Sequence, residues 1–305
     1  MKQARALCGQ RSPATGRPYP LSLVLTVFGL ARSTYYEREQ RRRQPASAPQ
    51  PRRKPGPKTA LSDAALVEAI RSVINDSPFS GEGHRKVRAR LAKQQVFAGR
   101  HRILRLMRLH GLLAPRRGRR SPSRAHDGRI ITDQPNEMWG GDATEVMTTE
   151  DGKVTIFDLI DHCTDQVLGV TVTTEATRFA AIDCLHQGVL REFGALNSDV
   201  ARGVKLRVDH GSQFTSKRYV NEARYLGFDL SYAFVGQPEC NGVIERWHRT
   251  LKEQLLWTRT WRTAEEVRQA VTDFVDTYNE HWLIERHGHQ SPNAWRARFH
   301  QAVAA

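Results

Sequence analysis

LRVDHGSQFTS (206–216) and VGQPECNGVIERWHRTLKEQL (235–255) decide how this chain folds. In the first, a short apolar run of strand composition closes on Asp209. In the second, Asn241 and Gly242 open a helix that carries Glu245 one turn in. Two carboxylates thus come from rigid elements of different type, with 35 residues between them. A third acid, Asp142, lies in MWGGDATEV (138–146). Acids gathered from two strands and a helix form an all-oxygen donor set suited to Mg²⁺ or Mn²⁺. The chemistry such sites support is in-line displacement at phosphorus.

Composition narrows the class. The chain has 305 residues and a net charge of +15, long enough for two or three domains. Residues 1–128 hold 28 Lys and Arg against 7 Asp and Glu, whereas residues 129–305 hold 19 against 25. The first part is therefore the polyanion-binding part, and its binding is expected to weaken steeply with salt. The acidic second part is where metal-binding carboxylates are expected. Four cysteines without CxxC spacing indicate neither a zinc module nor a disulfide framework. No apolar run is long enough for a membrane span and no leader pattern opens the chain, so the expected location is a reducing cytoplasm.

Along the chain, LSLVLTVFGLARSTYY (21–36) reads as two short helices broken at Gly29, with Ser33 as N-cap of the second. A helix-turn-helix and a small apolar hairpin are both open for the segment 1–37. Residues 38–60 alternate Pro with Arg and Lys and read as an extended charged linker, placed to follow phosphates or a minor groove. Residues 61–113 read as a three-helix unit. Ser62 or Asp63 caps the first helix, which buries Leu66, Ala69, Ile70 and Val73; Val87 and Leu91 point inward from the second. In the third, Ile103, Leu106, Met107 and His110 recur at helical spacing, with Arg102, Arg105 and Arg108 on the other side and Gly111 as the stop. That arginine stripe fits a recognition helix as well as a solvated face. A second basic linker occupies 114–133 and a core 134–300.

The core opens with the strand of Asp142. Asp151-Gly152 is expected to form a type I′ turn into KVTIFDLID (153–161), and VLGVTVTT (167–174) follows as a third strand. A helix over 178–193, strand LRVDH, a helix over 217–226, strand LSYAF and the helix of Glu245 complete it. Three antiparallel strands followed by alternating helices and strands define a mixed α/β sheet with helices on its faces. Asp158, Asp161 and Asp165 are the rival acids, and a surface or turn role is expected of them.

The pieces WGGDATE, VDHGSQFTS and GQPECNGVIERWHRTLKEQL, with the tail YNEHWLIERHGHQSPNAW (278–295), occur in an order and spacing that resembles the insertion-sequence 3 family of DDE transposases. Those enzymes are related to retroviral integrases and have an RNase H-like core; the likeness runs from Ser62 to Trp295. The resemblance implies that Asp142, Asp209 and Glu245 are the catalytic residues and bind two divalent ions, Mg²⁺ or Mn²⁺. Water would first free the 3′ end of a mobile DNA element, and that 3′-OH would then attack target DNA, with no covalent protein intermediate. It favours DNA contact by Arg102, Arg105 and Arg108. It also implies terminal-repeat and target DNA as partners and a homo-oligomer that holds two ends in a synaptic complex.

Near the site, His248 and Lys252 follow Glu245 by three and seven positions on one helix face, suited to water or phosphate and to the DNA backbone respectively. Gln237 and Asn241 lie in a loop that reads as a lid able to touch DNA. His281, His287 and His289 lack a cysteine or acid at a ligand interval and are not read as a metal site. Thr164-Asp165 departs from the family, where an arginine commonly stands second. No leucine heptads precede the first helices, which leaves room for a separate upstream-frame protein. A nuclease that cuts without joining, and a DNA-binding regulator with an inactive core, are the alternatives.

Overall fold

Strand Lys153–Asp161 is buried along all but its first residue and is largely apolar on both faces, which only a strand covered from above and below tolerates. A computed structural model describes residues 2–43, 61–115, 131–232 and 242–304. It divides into one unit ending at Ala60 and another beginning at Leu61.

The first unit holds α1 (Lys2–Cys8), α2 (Leu21–Val27) and α3 (Arg32–Arg43). The break between α2 and α3 falls at Gly29, whose φ of +59° lies in the left-handed region that glycine adopts at little cost. Two expectations are corrected here. Ser33 lies inside α3 rather than capping it, and α3 runs on to Arg43, six residues into the stretch read as linker. Arg5 pairs with Glu39 at 3.3 Å, and this α1–α3 contact gives the charged sequence a folded partner. Among the described residues of this unit the buried apolar side chains are Ala4, Val24 and Leu25.

In the second unit, α4 (Asp63–Asn75), α5 (His84–Lys93) and α6 (Arg100–Leu109) form the expected three-helix cluster. Ser62 Oγ accepts the Ala65 N–H at 3.1 Å, satisfying one of the open donors at the start of α4. Leu66, Val67, Ile70 and Val73 pack against Val87, Leu91, Ile103, Leu106 and Met107. His110 does not belong to that face: it is the exposed C-cap of α6, and Gly111 reverses the chain at φ +66°. The module also packs on the core, where Phe79 meets Trp282 edge to face at 4.8 Å between ring centroids.

The core is a five-stranded sheet in the order β3-β2-β1-β4-β5, formed by β1 (Met138–Met147), β2 (Lys153–Asp161), β3 (Val167–Thr173), β4 (Lys205–Val208) and β5 (Asp229–Tyr232). β1, β2 and β3 are antiparallel neighbours, while β4 and β5 run parallel to β1. One face carries α7 (Arg178–Phe193), the short α8 (Ser212–Thr215) and α9 (Lys217–Tyr225); Phe157 and Leu159 of β2 point into it. The other carries α10 (Gly242–Leu251) and α11 (Ala264–His281), and receives Val154, Ile156 and Ile160. α12 (Pro292–Ala304) follows. The β1–β2 hairpin is present, but its link is the five residues 148–152 rather than a two-residue turn. Thr148 N–H bonds the Gly152 carbonyl at 2.7 Å, and the Asp151 carboxylate is diverted to the Ala264 N–H at the start of α11.

Candidate active site

Asp142 lies in β1 directly opposite Asp158 of β2. Strand alternation turns both toward the layer that holds α10, the side opposite Trp139 and Ala143. Asp142 Oδ1 accepts the Ala143 N–H at 2.8 Å, and its Oδ2 stands 3.6 Å from His248 Nδ1. Burial pushes the Asp142 carboxyl above the ordinary carboxylate range; His248 and the Ala143 N–H oppose that push, and the charges of Asp209 and Asp158 add to it. The parallel pairing of β1 with β4 sets Gly140 beside Arg207, and the same register two residues further on leads Asp209 toward Asp142.

Asp209 follows the last residue of β4, at the carboxyl end of the parallel strands, where open α/β sheets place their ligands. Its Oδ1 accepts the Gly211 N–H at 2.8 Å. A Cβ at position 211 would stand 2.9 Å from that same oxygen, so a side chain there would press on the carboxylate. His210 stacks on Tyr232 of β5 at 5.2 Å between centroids, which fixes the end of β4 beside it.

Glu245 is exposed in the first turn of α10, whose apolar side buries Ile244, Trp247 and Leu251. It precedes His248 by three positions and so neighbours it on the helix surface. Among the described residues no three His, Cys, Asp or Glu side chains stand at metal-ligating geometry around one point. The fold brings Asp142 and Asp209 together; it places Glu245 on the helix turn beside the histidine that meets Asp142.

His248 itself is buried, which changes its expected role. Its Nε2 lies 2.9 Å from Asp158 Oδ2, and Trp247 Nε1 donates to Asp158 Oδ1 at 2.9 Å. Burial alone would lower the His248 pKa, but the hydrogen bond and charge of Asp158, helped by Asp142, raise it above the usual histidine value, with Lys252 opposing. Held between two carboxylates, the ring faces Asp142 rather than solvent or phosphate. The helix changes to a π-type turn at Lys252–Leu256, so Lys252 does not simply continue the α-helical face of Glu245. Gln254 in that turn bonds Ser80 of the three-helix module in both directions.

The rival acids are not surface groups: Asp158, Asp161 and Asp165 are 2%, 0% and 3% exposed. Asp161 and Asp165 keep the expected turn role. Asp161 accepts the Asn136 and Thr164 N–H groups, while Asp165 adopts φ +56° and takes the Arg286 guanidinium at 2.8 Å. Asp158 is the one that meets the site. His287 is packed against Trp295, 4.6 Å between centroids, and 3.5 Å from Asp165. Arg102 and Arg105 both bond the Asp63 carboxylate, at 2.8 and 2.6 Å, and Arg102 also bonds the Leu61 carbonyl at 2.7 Å. Arg105 and Arg108 remain exposed on α6. Gln237 and Asn241, with most of both basic linkers, lie outside the described residues. Among the described residues no helix is long and apolar enough to cross a membrane.

Three regions match family models: residues 61–120 an HTH-like domain, and residues 132–238 and 226–301 integrase core domains. The chain is 26% identical to the transposase for insertion sequence element IS629 of Shigella sonnei, over 90% of either chain. It is 27% identical to the transposase InsD for insertion element IS2D of Escherichia coli, over 76% of this chain and 78% of that one. The catalytic core of BIV integrase is similar at 23% identity, with 56% of this chain and 99% of that chain covered and a TM-score of 0.41. An integrase core behind a helix-turn-helix-like domain defines a DDE-type polynucleotidyl transferase that acts on DNA phosphodiester bonds. The integrase core and HTH-like domains, together with the likeness to the IS629 and IS2 transposases, support an insertion-sequence 3 family DDE transposase.

Proposed function

We propose that Asp142, Asp209 and Glu245 are the catalytic carboxylates and that they hold two divalent cations, Mg²⁺ or Mn²⁺, for cleavage at the 3′ ends of a mobile element and strand transfer into target DNA. The observation that carries this reading is the parallel β1–β4 register that leads Asp209 toward Asp142 at the carboxyl end of the sheet, with the helix of Glu245 fastened to the neighbouring strand through Trp247 and His248. The donor set fits the cations: every ligand is a carboxylate oxygen, and the mutual repulsion of the acids is what a hard cation relieves. Bound ions of this kind supply charge stabilisation to the attacking and leaving oxygens. The chain's own part is to hold three oxygen donors rigidly on β1, the end of β4 and α10.

Exposed Arg105 and Arg108 present charge to the DNA backbone, and Gln237, Asn241 and Lys252 are the other proposed DNA contacts. Arg102, tied to Asp63 and Leu61, shapes the module that presents them. Every phosphate left without its basic partner should reduce the slope of log K against log salt by about 0.9. Arg108→Ala is thus expected to weaken DNA binding about equally for all sequences and to flatten the salt dependence by that amount, measured by fluorescence anisotropy between low and physiological salt. An unchanged slope would remove Arg108 from the interface. Joining needs two ends held together, which supports a homo-oligomeric synaptic complex.

The decisive experiment incubates the purified chain with labelled element-end duplex, supercoiled plasmid and Mn²⁺. Cleaved 3′ ends together with plasmid-joined products are expected. Cleavage without joining would reduce the protein to a nuclease, and binding without cleavage to a DNA-binding regulator.

A further inference from the structure

We propose that Asp158 is a positioning residue of the catalytic site, a buried carboxylate that sets the ring of His248 against Asp142 and at the same time latches the helix of Glu245 to the sheet. The inference rests on the reading of Asp142 and Glu245 given above. Asp158 stands in β2 between Ile156 and Ile160, in the apolar layer under α10, and is 2% exposed. A carboxylate there is costly unless its oxygens find donors. It finds them on consecutive residues of one helix: Trp247 Nε1 on Oδ1 and His248 Nε2 on Oδ2, each at 2.9 Å.

Two consequences follow from that geometry. An ionised carboxylate only accepts, so His248 Nε2 carries the hydrogen and donates it, which fixes the ring plane and leaves Nδ1 facing Asp142 Oδ2 at 3.6 Å. Ala143 N–H holds Oδ1 of Asp142 by a hydrogen bond, while the edge of the oriented His248 ring stands beside Oδ2 without bonding it. Second, the latch at positions 247 and 248 sets the rotation and height of α10 two and three residues after Glu245. One buried group therefore governs the placement of two of the three proposed ligands, although it lies behind both.

The test uses the full chain. Asp158→Asn keeps the volume and an acceptor for Trp247 but sets an amide N–H₂ against His248 Nε2. Partners that orient metal ligands typically contribute about 10–100-fold to metal affinity or activity. Asp158→Asn is expected to weaken Mn²⁺ binding, measured by calorimetry without DNA, and to lower kcat by a factor in that range while KM for DNA stays the same. Because Asp158 acts through His248, the double variant Asp158→Asn/His248→Gln should be no weaker in Mn²⁺ affinity or kcat than His248→Gln alone. Long-range ¹H–¹⁵N spectra of the unmodified protein should show His248 Nε2 protonated, an outcome independent of how any variant folds. The inference is overturned if Nε2 is unprotonated, if Asp158→Asn stays within twofold of the unmodified protein, or if the two single losses add in full. It fails alone when the unmodified protein binds Mn²⁺ and depends on Glu245. Absence of Mn²⁺ binding, or cleavage that persists in Glu245→Gln, sinks the catalytic assignment itself.

Discussion

Glu245→Gln is expected to leave binding of element-end DNA within about twofold and to lower both cleavage and joining by roughly a thousandfold, since losing one charged oxygen from a metal site removes several kcal/mol of transition-state stabilisation. The substitution is nearly isosteric and the side chain is exposed, so α10 keeps its anchors: Ile244, Trp247 and Leu251 remain buried beneath it. The proposed DNA contacts lie chiefly on the basic helical module rather than on this acid, so binding and chemistry should separate cleanly. Denaturing gels of labelled ends report the cleavage and joining; anisotropy reports the binding. Glu265→Gln, at an exposed position in the first turn of α11, is the control and should act like the unmodified protein. Cleavage at an undiminished rate in Glu245→Gln would take Glu245 out of the site. A simultaneous loss of binding, cleavage and melting temperature would show only a damaged fold.

The strands and helices of the core were legible because their burial is periodic and their ends carry punctuation. The helix over 178–193 follows a capping Thr177 and stops at Gly194, whose φ is +76°. The strand of Asp142 and the run closing on Asp209 are likewise where the residue pattern puts them. What escaped was set by contacts between distant segments. The linker reading failed at 38–43 because Glu39 finds Arg5, a pairing that composition cannot reveal. The two-residue turn at 151–152 failed because Asp151 caps a helix more than a hundred residues away. Asp158 was misread as surface because spacing was weighed without the strand's neighbours. An acid flanked at two-residue intervals by Ile156 and Ile160 is on a buried face, and such a group must have donors waiting. His248 was misplaced for the same reason: its helical position was right, but its partner was unseen.

Gly169→Ala should be strongly destabilising to the catalytic unit. Position 169 lies in β3 under α7, and a Cβ there would stand 2.3 Å from the Cys184 carbonyl oxygen and 3.1 Å from the Gly188 nitrogen. Both are backbone atoms of α7, so no rotamer change relieves the clash; the helix must lift from the sheet. That helix buries Ile182, Leu185 and Val189 against the strands, and their packing would be lost with it. Replacing glycine in a strand returns roughly 0.5–1 kcal/mol through the unfolded chain. Overpacking a closed core costs about 1–3 kcal/mol where side chains can adjust, and more where only backbone can move. The second effect wins. A net loss of about 3 kcal/mol corresponds to a fall in melting temperature of roughly 6–12 °C for a unit of this size. Gly188→Ala provides the contrast. Its Cβ would meet Leu159 Cδ2 at 2.4 Å, the tip of a side chain that can turn aside, and glycine to alanine inside a helix gains about 1 kcal/mol in propensity. Its melting temperature should fall by less than half as much. Circular dichroism melts of the two variants decide the matter: equal shifts, or a Gly169→Ala midpoint within about 2 °C of the unmodified protein, would mean that α7 does not rest on β3 as closely as these distances require.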